Sequence, residues 1–109
     1  MKRSTETDLV RAVLLYVQVR YPRGLWWRAN TGCHVVPATQ NSSRRYLRFG
    51  LPGMADIQGV LDGRAIFLEC KSATGKQSLN QKIFEGAVTA AGGVYRIVRN
   101  LHDIPSLEE

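Results

Sequence analysis

Apolar residues recur at helical spacing in two places along the chain. The first stretch predicts a helix that Thr5 caps and that runs to about Arg20, before Pro22 stops it. In the second stretch, the capping box Ser78-Leu79-Asn80-Gln81 begins a helix that lasts to about Ala91. The apolar positions of the first helix lie three or four residues apart and are Leu9, Val10, Val13, Leu14 and Val17.

Short apolar or aromatic runs between and after the helices predict strands. Asp62-Gly63, the dipeptide preferred in a type I′ turn, joins two of these runs as a hairpin. The polar and basic stretch 30–49 is interpreted as a loop, although residues 34–36 favour an extended backbone. The order of elements predicts one α/β domain over residues 1–109, a mixed sheet flanked by helices with an α-β-β-β-α-β core. The predicted strands cover 25–29, 55–61, 64–71 and 94–99, and a short closing helix covers 101–107.

The strand that ends in Glu69-Cys70-Lys71 places two charges on one face. Residues two apart in a strand share a face, so Glu69 and Lys71 point away from the layer that Cys70 enters. A two-residue turn also places Asp56 opposite Glu69, where like charges destabilise a sheet. A raised carboxyl pKa, the neighbouring lysine or a bound divalent cation would offset this repulsion.

A divalent cation accounts for most of these features. Asp56 and Glu69, with the main-chain carbonyl of Cys70 and several waters, form the oxygen-rich partial cage that Mg²⁺ accepts. Lys71 would then hold an attacking water or stabilise charge on a phosphate. In the alternative interpretation, Glu69 and Lys71 are a solvated surface pair and Asp56 is an ordinary turn residue.

Glu6 and Gln81 each have two interpretations. Glu6 begins the valine stripe of the first helix, either as a first-turn acid near the positive end of the helix dipole or as a metal ligand through water. Gln81 either completes the capping box or brings its amide near Lys71. The sequence leaves both choices open.

The net charge favours a polyanionic partner. Lys and Arg number 15 against 9 Asp and Glu, which gives +6. Arg44, Arg45 and Arg48, with Tyr46 among them, are the best candidates for contacts to a nucleic-acid backbone, and Lys76 widens that surface. A solvated basic face is the other interpretation. Paired acids that bind a metal in a protein that attracts phosphate point to phosphodiester hydrolysis.

Cysteine content and hydropathy indicate the compartment. Two cysteines are too few for a disulfide framework and suit a reducing cytoplasm. The apolar runs are far shorter than the roughly 18 residues of a membrane-spanning helix, and no apolar segment follows the basic N-terminus. We therefore expect a soluble cytoplasmic protein.

Five motifs in order along the chain resemble the virus-type replication-repair nuclease (VRR-NUC) domain of the PD-(D/E)XK nuclease superfamily. The resemblance covers most of the chain, but residues 31–48 match no motif, and Cys70 stands where this group often has valine. The motifs are Glu6 at the start of the first helix, Gly53-Met54-Ala55-Asp56 as G-x-x-D, Glu69-Cys70-Lys71 as E-x-K, Ser78-Leu79-Asn80-Gln81 as S-x-x-Q, and the strand Gly93 to Arg99.

The resemblance implies a restriction-endonuclease-like fold and DNA cleavage that depends on Mg²⁺ or Mn²⁺. By similarity Asp56, Glu69 and Lys71 would be catalytic, with Glu6 and Gln81 assisting. Stand-alone domains of this type, from bacteria or phage-infected cells, act as homodimers on four-way DNA junctions, so we expect a Holliday-junction resolvase. Two alternatives stay open. One is a nuclease that acts on flaps, nicks or duplex ends, and the other is a basic DNA-binding module without catalysis.

Overall fold

A four-stranded mixed sheet with a helix on each face forms most of the chain. The computed structural model describes residues 6–29, 32–104 and 107, apart from the side chains of 32–36 and 46–49. Its elements in chain order are α1 (Glu6–Arg20), β1 (Leu25–Arg28), β2 (Gly32–Val36), β3 (Arg45–Phe49), β4 (Ile57–Leu61), β5 (Arg64–Cys70), α2 (Leu79–Ala90), β6 (Val94–Val98) and a 3-10 helix (Leu101–Asp103). The predicted α/β class, with helices flanking a mixed sheet, is confirmed.

The sheet has the strand order β1-β4-β5-β6. Its first three strands pair antiparallel, whereas β6 runs parallel to β5. Parallel neighbours need a crossover connection, and α2 supplies it. The crossover brings the start of α2 close to the end of β5.

The predicted hairpin between β4 and β5 is confirmed. Asp62 and Gly63 have φ angles of 52° and 79°, and a type I′ turn requires both to be positive. Leu61 pairs with Arg64 and Ile57 with Leu68, as the two-residue turn dictates. The Arg23 guanidinium donates two hydrogen bonds, of 2.9 and 2.8 Å, to the Asp62 carboxylate, so the turn is also tied to the segment before β1.

The larger core lies between α1 and the sheet. Val10, Val13 and Val17 bury the predicted stripe of α1 against alternate residues of the strands. Tyr21 closes one end of this core, because its hydroxyl accepts a hydrogen bond from the Leu107 amide at 3.1 Å. The strand residues on this face are Trp26, Ile57, Leu61, Ile66, Leu68, Cys70 and Val98.

The smaller core lies between α2 and the opposite face of the sheet. Val88 and Phe84 of α2 pack against Phe67 and Tyr95. Ser78 caps α2, and the predicted capping box is complete, since Ser78 and Gln81 each bond the other's main-chain amide. The start of α2 is therefore held at a defined place above β5.

The interpretation of the stretch 30–49 as a loop was wrong for residues 32–36 and 45–49, which are strands. Residues 45–49 form β3, which pairs with β2 as a separate two-stranded ribbon, and no other element of the described chain packs against either strand. Three of the five residues in Arg45-Tyr46-Leu47-Arg48-Phe49 are aromatic or apolar, and the two aromatic types are enriched in strands, so this composition favours a strand more than its charge favours a loop. The extended backbone that residues 34–36 favour is part of β2, which pairs with β3 as a hairpin.

Element ends differ from the predictions by one or a few residues. The strand predicted to reach Lys71 ends at Cys70, and the closing helix predicted over 101–107 is a single 3-10 turn capped by Asn100. Pro105 fits this early end, because the residue before a proline disfavours helix. The predicted cap at Thr5 lies outside the described residues. Within the described ranges, no helix is both long and apolar enough to cross a membrane.

We predict that Gly59→Ala destabilises the fold, because a Cβ at this position of β4 would collide with the Trp26 ring and the Leu25 carbonyl oxygen. The free energy of unfolding, measured by urea titration, should fall by about 1–3 kcal/mol. Gly86→Ala is the control, since a Cβ at this place in α2 meets open space. It should raise the unfolding free energy by roughly 0.5–1 kcal/mol. Equal effects of the two substitutions would contradict this packing.

Candidate functional site

Asp56 and Glu69 meet at one end of the β4–β5 hairpin, as the sequence predicts. Asp56 directly precedes β4, and its Oδ2 accepts a hydrogen bond from the Cys70 amide at 2.8 Å. The Asp56 and Glu69 carboxyl groups lie within hydrogen-bonding reach of each other. The hairpin register thus brings two acids together at the surface of the sheet that faces α2.

Glu69 is the most enclosed charged residue of the site, with 3% of its surface exposed. Its Oε2 accepts a hydrogen bond from the Gln81 amide at 2.8 Å and lies 3.8 Å from the Lys71 ammonium nitrogen. Its Oε1 is buried and has no hydrogen-bond donor among the described residues. A buried carboxylate oxygen without a donor is costly, so this atom calls for a proton or a cation.

Burial raises the pKa of both acids, and the charge of Asp56 raises that of Glu69 further. Burial, followed by the charge of Asp56, raises the pKa of Glu69 from 4.5 to about 8, even though Lys71 opposes the shift. Burial also raises the pKa of Asp56, against the hydrogen bond from the Cys70 amide. Without a cation, the pair therefore holds a proton near neutral pH.

Gly53 fixes the approach of the Asp56 loop to α2. Its φ of 76° lies in the left-handed region, and a Cβ there would collide with the Asn80 carbonyl and come within 2.6 Å of the Gln81 nitrogen. Gln81 in turn both caps α2 and holds Glu69. The capping interpretation of Gln81 is confirmed through its carbonyl oxygen, whereas the amide nitrogen that was predicted near Lys71 donates to Glu69.

Lys71 and Glu6 border a cleft of about 590 Å³ between α1 and the loop after β5. Glu6 is exposed, and its Oε1 accepts a hydrogen bond from the Ser72 amide at 3.2 Å. Its charge also raises the pKa values of Asp56 and Glu69. Glu6 therefore lies close enough to act on the acid pair while its own carboxylate is held by the chain.

The arrangement fits a metal held by few protein ligands. No group of three or more His, Cys, Asp or Glu side chains in the described residues is placed to hold an ion. Mg²⁺ needs only one or two carboxylates when waters and substrate oxygens complete its shell. Asp56 and the donor-free Oε1 of Glu69 meet that need. The Cys70 carbonyl stays a predicted ligand, whereas the Cys70 thiol is buried in the α1 core, where burial raises its pKa to about 12.

Arg99 also belongs to the site, although no role was predicted for it from the sequence. Its Nη1 donates to the carbonyl oxygens of Ser72 and Gly75, at 2.6 and 2.8 Å, and so shapes the loop that follows Lys71. The sequence feature that could have indicated this role is the motif Gly93–Arg99, which ends in this arginine. Its position one residue beyond β6 brings it beside this loop, because β6 pairs with β5.

The predicted DNA-contacting residues lie on two segments outside the acid pair. Arg44 and Arg45 are exposed at the start of β3, and Lys76 is exposed in the loop between β5 and α2. The side chains of Tyr46 and Arg48 lie outside the described part of the structure. Lys76 is therefore close in sequence to Lys71, whereas the arginines belong to the separate ribbon.

Comparison with models of known protein families gives no match for this chain, and a search of curated proteins gives none. The resemblance to the VRR-NUC group therefore stays a prediction that rests on the order and spacing of the motifs.

We predict that the acid pair makes stability depend on pH in the absence of divalent ions. Between pH 4.5 and about 8 the folded state keeps a proton on Glu69 that the unfolded state has lost. The free energy of unfolding should therefore fall as pH rises through this window, by at most roughly 1.4 kcal/mol per pH unit. Urea titrations at a series of pH values measure this slope.

Glu69→Gln should flatten that slope, because the amide does not titrate. Glu85→Gln makes the same chemical change on α2, where Glu85 accepts a hydrogen bond from Gln77 and is not among the charges that shift the pKa of either acid, so it should keep the slope. A wild-type stability that rises with pH across the window would contradict the proton-sharing arrangement.

Proposed function

We propose that this protein is a DNA endonuclease that depends on Mg²⁺ or Mn²⁺. The observation that carries the proposal is the pair of opposed carboxyl groups, Asp56 and Glu69, with a buried oxygen that lacks a donor and an ammonium group nearby. A structural ion pair would not require a second acid at this position. Two acids with raised pKa values beside a lysine that borders a cleft are typical of a functional site.

Asp56 and Glu69 would hold the ion, and the Cys70 carbonyl would complete the protein's share of its shell. When bound, the ion would polarise a phosphoryl oxygen and lower the pKa of a coordinated water. The Cys70 amide orients Asp56, and the Gln81 amide orients Glu69. Both acids are therefore held in place before any ligand arrives.

Lys71 is placed to act on the phosphate rather than on the ion. Its side chain is 12% exposed and borders the open cleft, while its ammonium nitrogen remains 3.8 Å from the Glu69 Oε2. At this position it can donate to a phosphate oxygen or to the attacking water. Arg99 holds the loop that follows Lys71 through two main-chain oxygens, those of Ser72 and Gly75.

The ribbon of β2 and β3 is the proposed DNA-contacting segment. Residues 32–49 contain three arginines and no acidic residue, so the segment attracts a polyanion. A two-stranded antiparallel ribbon is narrow enough to enter the major groove. An isolated ribbon is at best marginally stable in water, and a partner such as DNA would stabilise it.

The preferred substrate in this proposal is a four-way junction, cut by a homodimer. Resolution requires two symmetric cuts, and one subunit offers one acid pair. This choice rests on the motif resemblance, whereas the acid pair supports phosphodiester hydrolysis in general. Flaps, nicks and duplex ends are therefore the alternative substrates.

We predict that wild-type protein cuts DNA only with a divalent metal, and that Glu69→Gln reduces the cleavage rate by roughly 100-fold or more. The assay compares a labelled four-way junction and a linear duplex of matched sequence, each with Mn²⁺ or EDTA. Symmetric cuts near the branch, confined to wild type with Mn²⁺, are the expected result. Glu85→Gln is the control and should keep the activity.

Two outcomes of this assay would change the proposal. Equal cutting of the junction and the duplex would remove the junction preference and keep the nuclease. Binding of DNA without any cutting under Mg²⁺ or Mn²⁺ would favour the basic DNA-binding module, in which the acids are structural.

We also predict that the ribbon contributes phosphate contacts. Arg45→Ala should weaken DNA binding and reduce the slope of log affinity against log salt by about one. Arg96→Ala on β6 removes the same charge from the main sheet and should leave the slope unchanged. Fluorescence anisotropy in EDTA, over a series of salt concentrations, measures binding without cleavage. Equal slopes for wild type and Arg45→Ala would exclude this arginine from the contact surface.

A further inference from the structure

An apolar pocket of about 370 Å³ opens beside α2, on the same face of the sheet as the acid pair. This volume falls within the roughly 300–1,000 Å³ of pockets that hold small ligands. Among the described residues that line the pocket, none is charged and one, a glutamine, has a polar side chain. We call it the α2 pocket, and its lining includes Leu51, Met54, Gln58, Phe67, Phe84 and Ala87.

Two strands carry the α2 pocket and the acid pair side by side. Gln58 lies two residues after Asp56, and Phe67 lies two residues before Glu69. Residues two apart share a face, so each of these pocket residues lies roughly 7 Å along the chain from one of the acids. Gln58 and Phe67 are also direct cross-strand partners. The hairpin register that pairs the acids therefore also forms the floor of the pocket beside them.

Helix α2 covers both places in the same order. The Gln81 amide donates to Glu69 at the acid pair. One turn later, Phe84 contacts Phe67 edge to face, with 5.4 Å between the ring centroids and 77° between the ring planes. Ala87 lies almost one further turn along and is exposed at the pocket. The α2 pocket is therefore a direct continuation of the acid site.

Gln58 gives the α2 pocket a polar group that the fold does not use. The residue is partly exposed, and its side-chain amide makes no hydrogen bond within the described residues. A terminal amide offers both a donor and an acceptor. Nucleobases carry donors and acceptors side by side on their edges, so an amide at the wall of an apolar pocket is suited to bind one.

The charges on the two sides of the acid pair indicate how a nucleotide lies across it. Lys71 borders the cleft on the α1 side, whereas no charged residue lines the α2 pocket. An ammonium group attracts a phosphate, while a nucleobase is flat and uncharged and stacks on aromatic rings. The α2 pocket therefore complements the base of a nucleotide and not its backbone.

We infer that the α2 pocket binds one unpaired nucleobase of the DNA strand whose phosphate lies at the acid pair. The base packs against the phenylalanine pair and bonds the Gln58 amide. A base reaches the pocket only when it leaves the duplex, which costs least where the strand is already unpaired. The inference rests on the proposed function for the place of the phosphate, and it names unpaired rather than continuous duplex DNA as the substrate class.

The test measures how far DNA affinity depends on a single base. The probe is a fluorescent forked duplex, in which the base is removed from one unpaired nucleotide at a time next to the fork. Fluorescence anisotropy in EDTA measures binding without cleavage. For wild type, loss of the base that enters the pocket should raise the dissociation constant roughly 5- to 100-fold.

Three variants assign this base dependence to the pocket. Ala87→Leu fills the pocket from the exposed side of α2 and should abolish the difference between intact and abasic DNA. Ala90→Leu is the matched control and should keep the difference, since Ala90 is also exposed on α2 but does not line the pocket. Gln58→Met keeps the side-chain length without the amide and should reduce the difference by roughly 2- to 10-fold.

Each variant is compared with itself on intact and abasic DNA, so a general loss of affinity cancels, and circular dichroism checks that each variant is folded. Three results would overturn the inference: no abasic position that weakens wild-type binding, a full base dependence in Ala87→Leu or Gln58→Met, or a base dependence that Ala90→Leu loses as completely as Ala87→Leu. The first result would assign the pocket to another occupant, such as a side chain of a partner protein. Base-dependent binding without cutting under Mg²⁺ or Mn²⁺ would contradict only the proposed function.

Discussion

The hydrogen bond from the Cys70 amide to Asp56 is the constraint on which the site depends. It links the residue before β4 to the end of β5 and keeps two carboxyl groups together that would otherwise repel each other. The repulsion is offset by a retained proton or, in our proposal, by a cation. The hairpin therefore holds the two carboxyl groups in a contact that their like charges destabilise.

The neighbours of this contact come from every layer of the fold. Gln81 reaches Glu69 from α2 because the crossover returns the helix to the end of β5, and Gly53 allows the Asp56 loop to approach that helix closely. Glu6 bonds the Ser72 amide from α1, on the other side of the sheet. Both faces of the sheet thus contribute to one small region, although their cores are separate.

Much of this arrangement follows from local rules in the sequence. Asp62-Gly63 determines the turn, the turn determines the register, and the register places Asp56 opposite Glu69. Likewise the serine and glutamine of the capping box predict where α2 begins. These inferences succeed because each depends on residues within one hairpin or one helical turn.

Features that depend on distant contacts were not accessible in the same way. The pairing of β2 with β3 was missed because the arginines of β3 are also typical of a solvated loop. The role of Arg99 depends on its hydrogen bond to the Gly75 carbonyl oxygen, which lies 24 positions earlier in the chain. The burial of Glu69 and its donor-free oxygen are also tertiary properties, since α2 covers that acid only after the chain has crossed over. No pattern along the strand reports them.

The tight turn between β4 and β5 has a further consequence for how the chain acquires its site. Asp56 meets the Cys70 amide across only 14 positions, whereas Glu6 meets Ser72 across 66. Closing the shorter loop costs less chain entropy, so the acidic pair belongs to a hairpin that can form early, before the first helix docks. Assembly of the site would then proceed from its centre outward, with the contribution of α1 added last.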